Sequence, residues 1–99
     1  MASEIREYTI TLSKAFKHAL DTIQQLGWKI KRKDERNGII IAETNVSIWS
    51  WGERIELQLS YIQDKVTLKI TSESVYQILD WGKGKENLRT FLKIFERNQ

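Results

Sequence analysis

Two alternating segments joined by a two-residue turn constrain this chain more than any other feature. Every second residue in them is apolar: Ile55, Leu57, Leu59 and Tyr61 in the first, and Val66, Leu68 and Ile70 in the second. A turn at residues 63–64 opposes Leu59 to Leu68, and the same register keeps polar residues opposite polar residues on the other face. A shift of one residue would oppose apolar to polar side chains throughout. The sequence therefore predicts a β-hairpin with one buried face.

Changes of periodicity predict the elements that precede the hairpin. Alternation over residues 5–12 indicates a first strand, and an apolar stripe from Phe16 to Leu26 indicates a helix. We expect Ser13 to cap the start of this helix and Gly27 to end it in a left-handed conformation. Two further strands, one opening at Trp28 and one at residues 39–42, flank an Asn-Gly turn.

After the hairpin, residues 72–85 show no regular pattern, and a second amphipathic helix is predicted from Glu86. The chain thus predicts a single α+β domain over residues 1–99, a two-layer sandwich in the order β-α-β-β-β-(β)-α. A curved antiparallel sheet packs on two helices, with strand order 2-3-4-5-1 if consecutive strands pair and the first strand lies beside the last. This order of elements resembles the TATA-binding-protein-like topology and, more loosely, the helix-grip fold.

Two Trp-Gly segments carry a second resemblance. Residues 47–53 contain Trp51-Gly52-Glu53, and residues 77–83 contain Asp80-Trp81-Gly82-Lys83. Together with the hairpin between them, these segments resemble a small bacterial α+β domain family with no established activity. The resemblance implies a fold and a bacterial origin. Where such proteins often have Lys-Asn, this chain has Lys83-Gly84, so no role for an Asn there transfers to it.

Composition narrows the classes of function. The 99 residues include 16 Lys and Arg, 13 Asp and Glu, one His, no Cys and four Trp. The lack of Cys excludes disulfides and thiolate chemistry, and one His cannot build a multi-His metal site. We expect no metal and no cofactor. A net charge of +3 is modest for a nucleic-acid binder. No apolar run suggests a membrane span or a signal peptide, so the expected location is cytoplasmic.

The Trp-Gly segments provide the leading candidate binding site. Trp rings beside carboxylates could form a stacking platform for a sugar, a nucleobase or a peptide. A structural role is the favoured interpretation of these segments, since Trp buries a large area, Gly permits tight turns and carboxylates cap backbone donors. The candidate binding residues are Trp49, Trp51, Glu53, Asp80, Trp81 and Lys83.

Lysines on the open face of the sheet provide the alternative site, for phosphates or nucleic acid. The candidates share one side of the second strand or of the last strand: Lys29, Lys31, Lys33, Lys65 and Lys69. Strands 3 and 4 separate the two groups, and charged residues also protect edge strands from aggregation. A solvated, edge-protecting face is the favoured interpretation, and nucleic-acid binding is disfavoured.

The sequence offers two other candidate sites. An apolar ligand could bind between the sheet and the C-terminal helix, but large residues such as Phe91, Phe95 and Leu57 are expected to fill that gap. Glu53 and Asp80 are the only carboxylate pair that could support hydrolysis, and we expect no enzyme. The sequence therefore predicts a small non-catalytic module that binds a protein partner or itself.

Overall fold

The computed structural model describes residues 2–44, 52–74 and 83–98. It contains five strands and two helices in the predicted α+β order. The elements are β1 (Ala2–Tyr8), α1 (Leu12–Leu26), β2 (Lys29–Asp34), β3 (Ile39–Glu43), β4 (Glu53–Ile62), β5 (Lys65–Ser74) and α2 (Lys83–Arg97). Neither described helix is long and apolar enough to cross a membrane.

The five strands form one antiparallel sheet in the order β1-β5-β4-β3-β2, which confirms the predicted pairing of the first strand with the last. The β4–β5 hairpin has the predicted register, with Leu59 opposite Leu68. Gln63 and Asp64 form its turn with φ values of 51° and 65°. Two consecutive positive φ angles are typical of a type I′ turn, whose twist matches the twist of the paired strands.

One face of the sheet is covered by both helices. α2 packs on β5 and β1, α1 packs on β4 and β2, and the two helices contact each other. The core takes every second residue of the inner strands and the apolar stripe of each helix, as the periodicities predict. Its fully buried large side chains include Ile23, Ile40, Ile55, Leu57, Val66, Leu68, Ile70, Leu88, Phe91 and Phe95.

The start of α1 differs from the prediction. β1 ends at Tyr8, and the helix is capped by Thr11, not by Ser13. Thr11 has extended backbone angles and its Oγ1 accepts from the Lys14 amide over 3.2 Å, so it satisfies a donor that the first turn leaves free. The predicted end is confirmed, because Gly27 adopts φ 73° and its amide bonds to the last turn.

The regular structure near the C-terminus is longer than predicted. β5 continues to Ser74, and α2 begins at Lys83 rather than at Glu86. The alternation that buries Leu68 and Ile70 also buries Ser72, a small polar residue that does not read as part of an apolar pattern.

Candidate functional site

Both Trp-Gly segments are attached to the same end of the sheet. β3 ends where β4 begins, with Glu43 opposite Arg54, and β4 begins where β5 ends, with Glu53 opposite Ser74. The chain therefore enters residues 45–51 and leaves β5 for residues 75–82 from neighbouring strands. Four of the predicted binding residues lie outside the described part of the chain, namely Trp49, Trp51, Asp80 and Trp81. The side chain of Lys83 also lies outside it.

Glu53 is the predicted site residue that the structure places, and it lies inside the protein. Its side chain is only 2% exposed and points to the same side as the core. The Ser72 hydroxyl, itself 1% exposed, donates to Glu53 Oε2 over 3.4 Å. Burial of a carboxylate is costly unless it is hydrogen-bonded, and the Ser72 hydroxyl offsets part of that cost. At 2% exposure, the Glu53 side chain does not form part of the surface.

The backbone at Glu53 is fixed by Thr44 across the sheet end. The Glu53 amide donates to Thr44 Oγ1 over 2.7 Å, and the Thr44 amide donates to the Glu53 carbonyl over 2.9 Å. Gly52, which precedes Glu53, is buried and has φ 89°. These contacts hold Thr44 and Glu53 close together, where the strand ladder stops.

Sequence reasoning missed Ser72 and Thr44, the two hydroxyl residues that hold Glu53. Ser72 continues the buried positions 66, 68 and 70 of β5, so the strand alternation carried a signal for it. Thr44 follows directly after β3 and had no such signal, because its role depends on the approach of β4.

The predicted lysine face is interrupted by a bulge in β2. The β2–β3 register shifts between Ile30 and Arg32, so Lys31 has no opposite residue. Lys29 lies opposite Glu43, on the open face, whereas Lys33 lies opposite the buried Ile40, on the face that carries the helices. The prediction that Lys29, Lys31 and Lys33 share one side is therefore wrong, since an extra residue inverts the alternation that follows it.

The open face mixes charges of both signs. A row across four strands alternates Lys29, Glu43, Arg54 and Glu73. Lys65 and Lys69 do share the open face of β5, as predicted, where Lys69 lies opposite Gln58. No aromatic residue lies on the open face of the described strands, so stacking of bases has no platform there.

Aromatic rings fill the described space between the sheet and α2. Phe91 stacks on Trp28 at 6.2 Å between ring centroids and on Phe95 at 5.7 Å. Phe95 in turn meets Tyr8 at 5.1 Å and the edge of His18 at 6.5 Å. We call Trp28, Phe91, Phe95 and Tyr8 the aromatic row. It runs from the start of β2 to the end of β1. It lies between the sheet and α2, which is the region of the candidate site for an apolar ligand.

His18 lines a polar groove beside α1. Its ring is half-buried against Phe95. The groove beside it measures about 460 Å³ and is lined by His18, Asp21, Gln24, Gln25 and Asn98. Within the described residues, no cluster of three or more His, Cys, Asp or Glu side chains could hold a metal ion. Asp80, the partner proposed for Glu53 in hydrolysis, lies outside those residues.

Comparisons with known proteins give a fold and no family. No family model matches the chain, and no curated protein sequence matches it. Among solved structures, the crystal structure of Ara h 8.0201 matches with a TM-score of 0.50 and 8% sequence identity, over 97% of this chain and 95% of that chain. At this identity the likeness shows a helix-grip-like α+β fold alone. The TATA-binding-protein-like topology stays a prediction.

Proposed function

We propose that the protein is a non-catalytic module that binds a protein partner, either another protein or a second copy of itself, at the sheet end that carries the Trp-Gly segments. The pairing of Glu53 with Ser74 carries the proposal, because it places the residue that ends the first segment beside the strand end that leads into the second. Three of the four Trp residues belong to these segments. Trp is enriched at protein interfaces, where it buries a large area at a small entropic cost.

Within this proposal, Glu53 has a positioning role. Its burial beside Ser72 anchors the first residue of β4, and the contact surface is assigned to the remaining predicted residues. Trp49, Trp51 and Trp81 would supply the apolar contacts, and Asp80 and Lys83 would supply a polar rim.

Two observations favour this proposal over the alternatives. The alternating charges that cross the open face disfavour a phosphate-binding surface, since Lys29 lies opposite Glu43 and Arg54 lies between two glutamates. The aromatic row, with Phe91 and Phe95 fully buried, occupies the described space that an apolar ligand would need.

A site-specific crosslinking experiment tests the proposal. A photoreactive phenylalanine derivative replaces Trp51 or Trp81 in one variant each, and Tyr61 in a control variant. Tyr61 is 52% exposed at the opposite end of β4. The variants are irradiated in the cells that produce the protein. We expect the position 51 variant and the position 81 variant each to give one discrete covalent adduct, either with another protein or with a second copy. Position 61 should give none. Uncrosslinked chain alone from all three folded variants would contradict the proposal.

A further inference from the structure

Among the described strands, β1 is an edge strand whose outer side has no neighbouring strand. β1 pairs with β5 in an unbroken register from Ala2 opposite Ser72 to Tyr8 opposite Val66. In such a strand, alternate residues direct their N–H and C=O groups away from the neighbouring strand. The β1 segment contains no proline and no bulge, so its outer edge has the straight geometry that another strand can pair with.

The side chains of β1 are arranged almost symmetrically in charge about Ile5. Glu4 and Arg6 lie opposite the core residues Ile70 and Leu68, on the face that carries the helices, and are joined by an ion pair of 2.9 Å. Ile5 lies on the open face and is 57% exposed, one of the most exposed large apolar side chains in the described chain.

We infer that the β1 edge pairs with β1 of a second copy, antiparallel, about a twofold axis at Ile5. This register places Ile5 against its own copy on the open face. On the helical face it places Glu4 opposite Arg6 of the second copy, and the symmetry repeats that pair. Opposite charges directly across an antiparallel ladder attract, and the same patch on both chains closes the assembly as a dimer. The two five-stranded sheets become one.

The other edge of the sheet does not offer such a match. β2 carries Lys29, Lys31, Arg32 and Lys33 within six residues, and Lys31 forms the bulge. A second copy on this edge would oppose like charges, and the bulge would break the ladder. The edge-protecting interpretation of charged strands therefore applies to β2, while the balanced charges of β1 complement themselves.

Charge exchange tests the pairing. Glu4→Arg places Arg opposite Arg at both ends of the register, and Arg6→Glu places Glu opposite Glu. Each single variant should raise the dimer dissociation constant at least about tenfold in sedimentation velocity. The double variant E4R/R6E restores both opposite pairs and should dimerise as the wild type does. A mixture of the two single variants should form a heterodimer more tightly than either variant forms a homodimer, because all facing pairs are then complementary.

The exposed isoleucine supplies a matched pair of variants. Ile5→Lys should weaken the dimer, since two ammonium groups would meet at the axis, whereas Ile62→Lys should not. Ile62 is 58% exposed and lies on the same open face, at the hairpin turn. Because the Glu4–Arg6 ion pair is largely solvent-exposed, the single variants should keep the wild-type thermal midpoint when all proteins are measured at a concentration at which the wild type is monomeric.

Three results would overturn the inference. The first is a monomeric protein at concentrations up to about 1 mM, where even a weak edge contact would be populated. The second is equal association of all variants. The third is assembly into species larger than the dimer. A photoreactive group at position 5 separates this contact from the one proposed at the Trp-Gly segments. Crosslinks from position 5 alone would support the β1 pairing and leave the other proposal unsupported, and crosslinks from position 51 alone would do the reverse.

Discussion

The amide of Leu59 donates to the carbonyl of Gly38 over 2.7 Å, and the two backbones approach so closely that a side chain at residue 38 would overlap the Leu59 carbonyl oxygen. Gly38 also adopts φ 68°. This contact joins the turn before β3 to β4. The two strands approach this closely because residue 38 has no side chain.

Replacement of Gly38 should therefore cost more than a positive φ alone. We expect Gly38→Ala to lower the free energy of unfolding by more than about 2 kcal/mol, because conformational strain and backbone overlap add. Gly27→Ala is the control, since Gly27 has φ 73° at an exposed helix end and should cost only about 1 kcal/mol. Urea denaturation measures both, and equal losses would show that the Leu59 contact is not limiting.

The aromatic row should carry a large part of the stability. Phe91 is fully buried between Trp28 and Phe95, and its truncation leaves a cavity that the surrounding rings fill poorly. We expect Phe91→Ala to lower the free energy of unfolding by about 3–5 kcal/mol. Tyr61→Ala, at a site 52% exposed, should lower it by less than about 0.5 kcal/mol. A loss at position 91 no larger than at position 61 would mean that a ligand-sized space is already present there.

The hairpin turn offers a stabilising change. Gln63 and Asp64 both adopt positive φ angles, which side chains with a Cβ disfavour. The double variant Gln63→Asn, Asp64→Gly supplies the pair that favours a type I′ turn and should raise the free energy of unfolding by about 1 kcal/mol. Thermal denaturation provides the measurement. A lower melting temperature would show that the turn has a different conformation in solution.

Alkaline pH should destabilise the fold through Tyr8. Burial, and then the nearby Glu96 carboxylate that accepts from the Tyr8 hydroxyl over 3.1 Å, raise the pKa of Tyr8 well above its ordinary value of 10.0. Above pH 10 the unfolded chain loses this proton while the folded chain keeps it, so the free energy of unfolding falls as pH rises. The decrease should be smaller than about 1.4 kcal/mol per pH unit, since Tyr8 is half-exposed and solvent screens the carboxylate.

The Tyr8→Phe variant isolates this effect. It removes the titrating hydroxyl and keeps the ring against Phe95, so it should flatten the alkaline part of the stability curve relative to the wild type. Identical slopes for the two proteins above pH 10 would show that the Tyr8 hydroxyl keeps its ordinary acidity in the folded state.

Strand order and hairpin register were predictable because they follow from burial of every second residue. Local backbone events were not. The bulge at Lys31 inverts the side of Lys33, and no feature of the residue types in β2 marks it. Ser is a slightly better helix cap than Thr, yet Thr11 caps α1, because the position of the cap depends on where β1 ends. At the candidate site, the attachment of both segments to one end of the sheet follows from the strand order. The burial of Glu53 was not predictable, because it depends on the approach of Ser72 from the neighbouring strand.

The pairing of β1 with β5 also sets an order of events during folding. Each strand from β2 to β5 pairs with a strand that is its neighbour along the chain. Ala2 pairs with Ser72, so β1 can join the sheet only after β5 has formed. Contacts that close such long loops form late, because the entropy of closure is lost before the contact energy is gained. Until then, the β1 segment, with its apolar Ile5, has both edges free. During this interval β1 is a binding site for molecular chaperones that recognise short extended apolar segments. Substitutions that slow the formation of β5 would lengthen the interval.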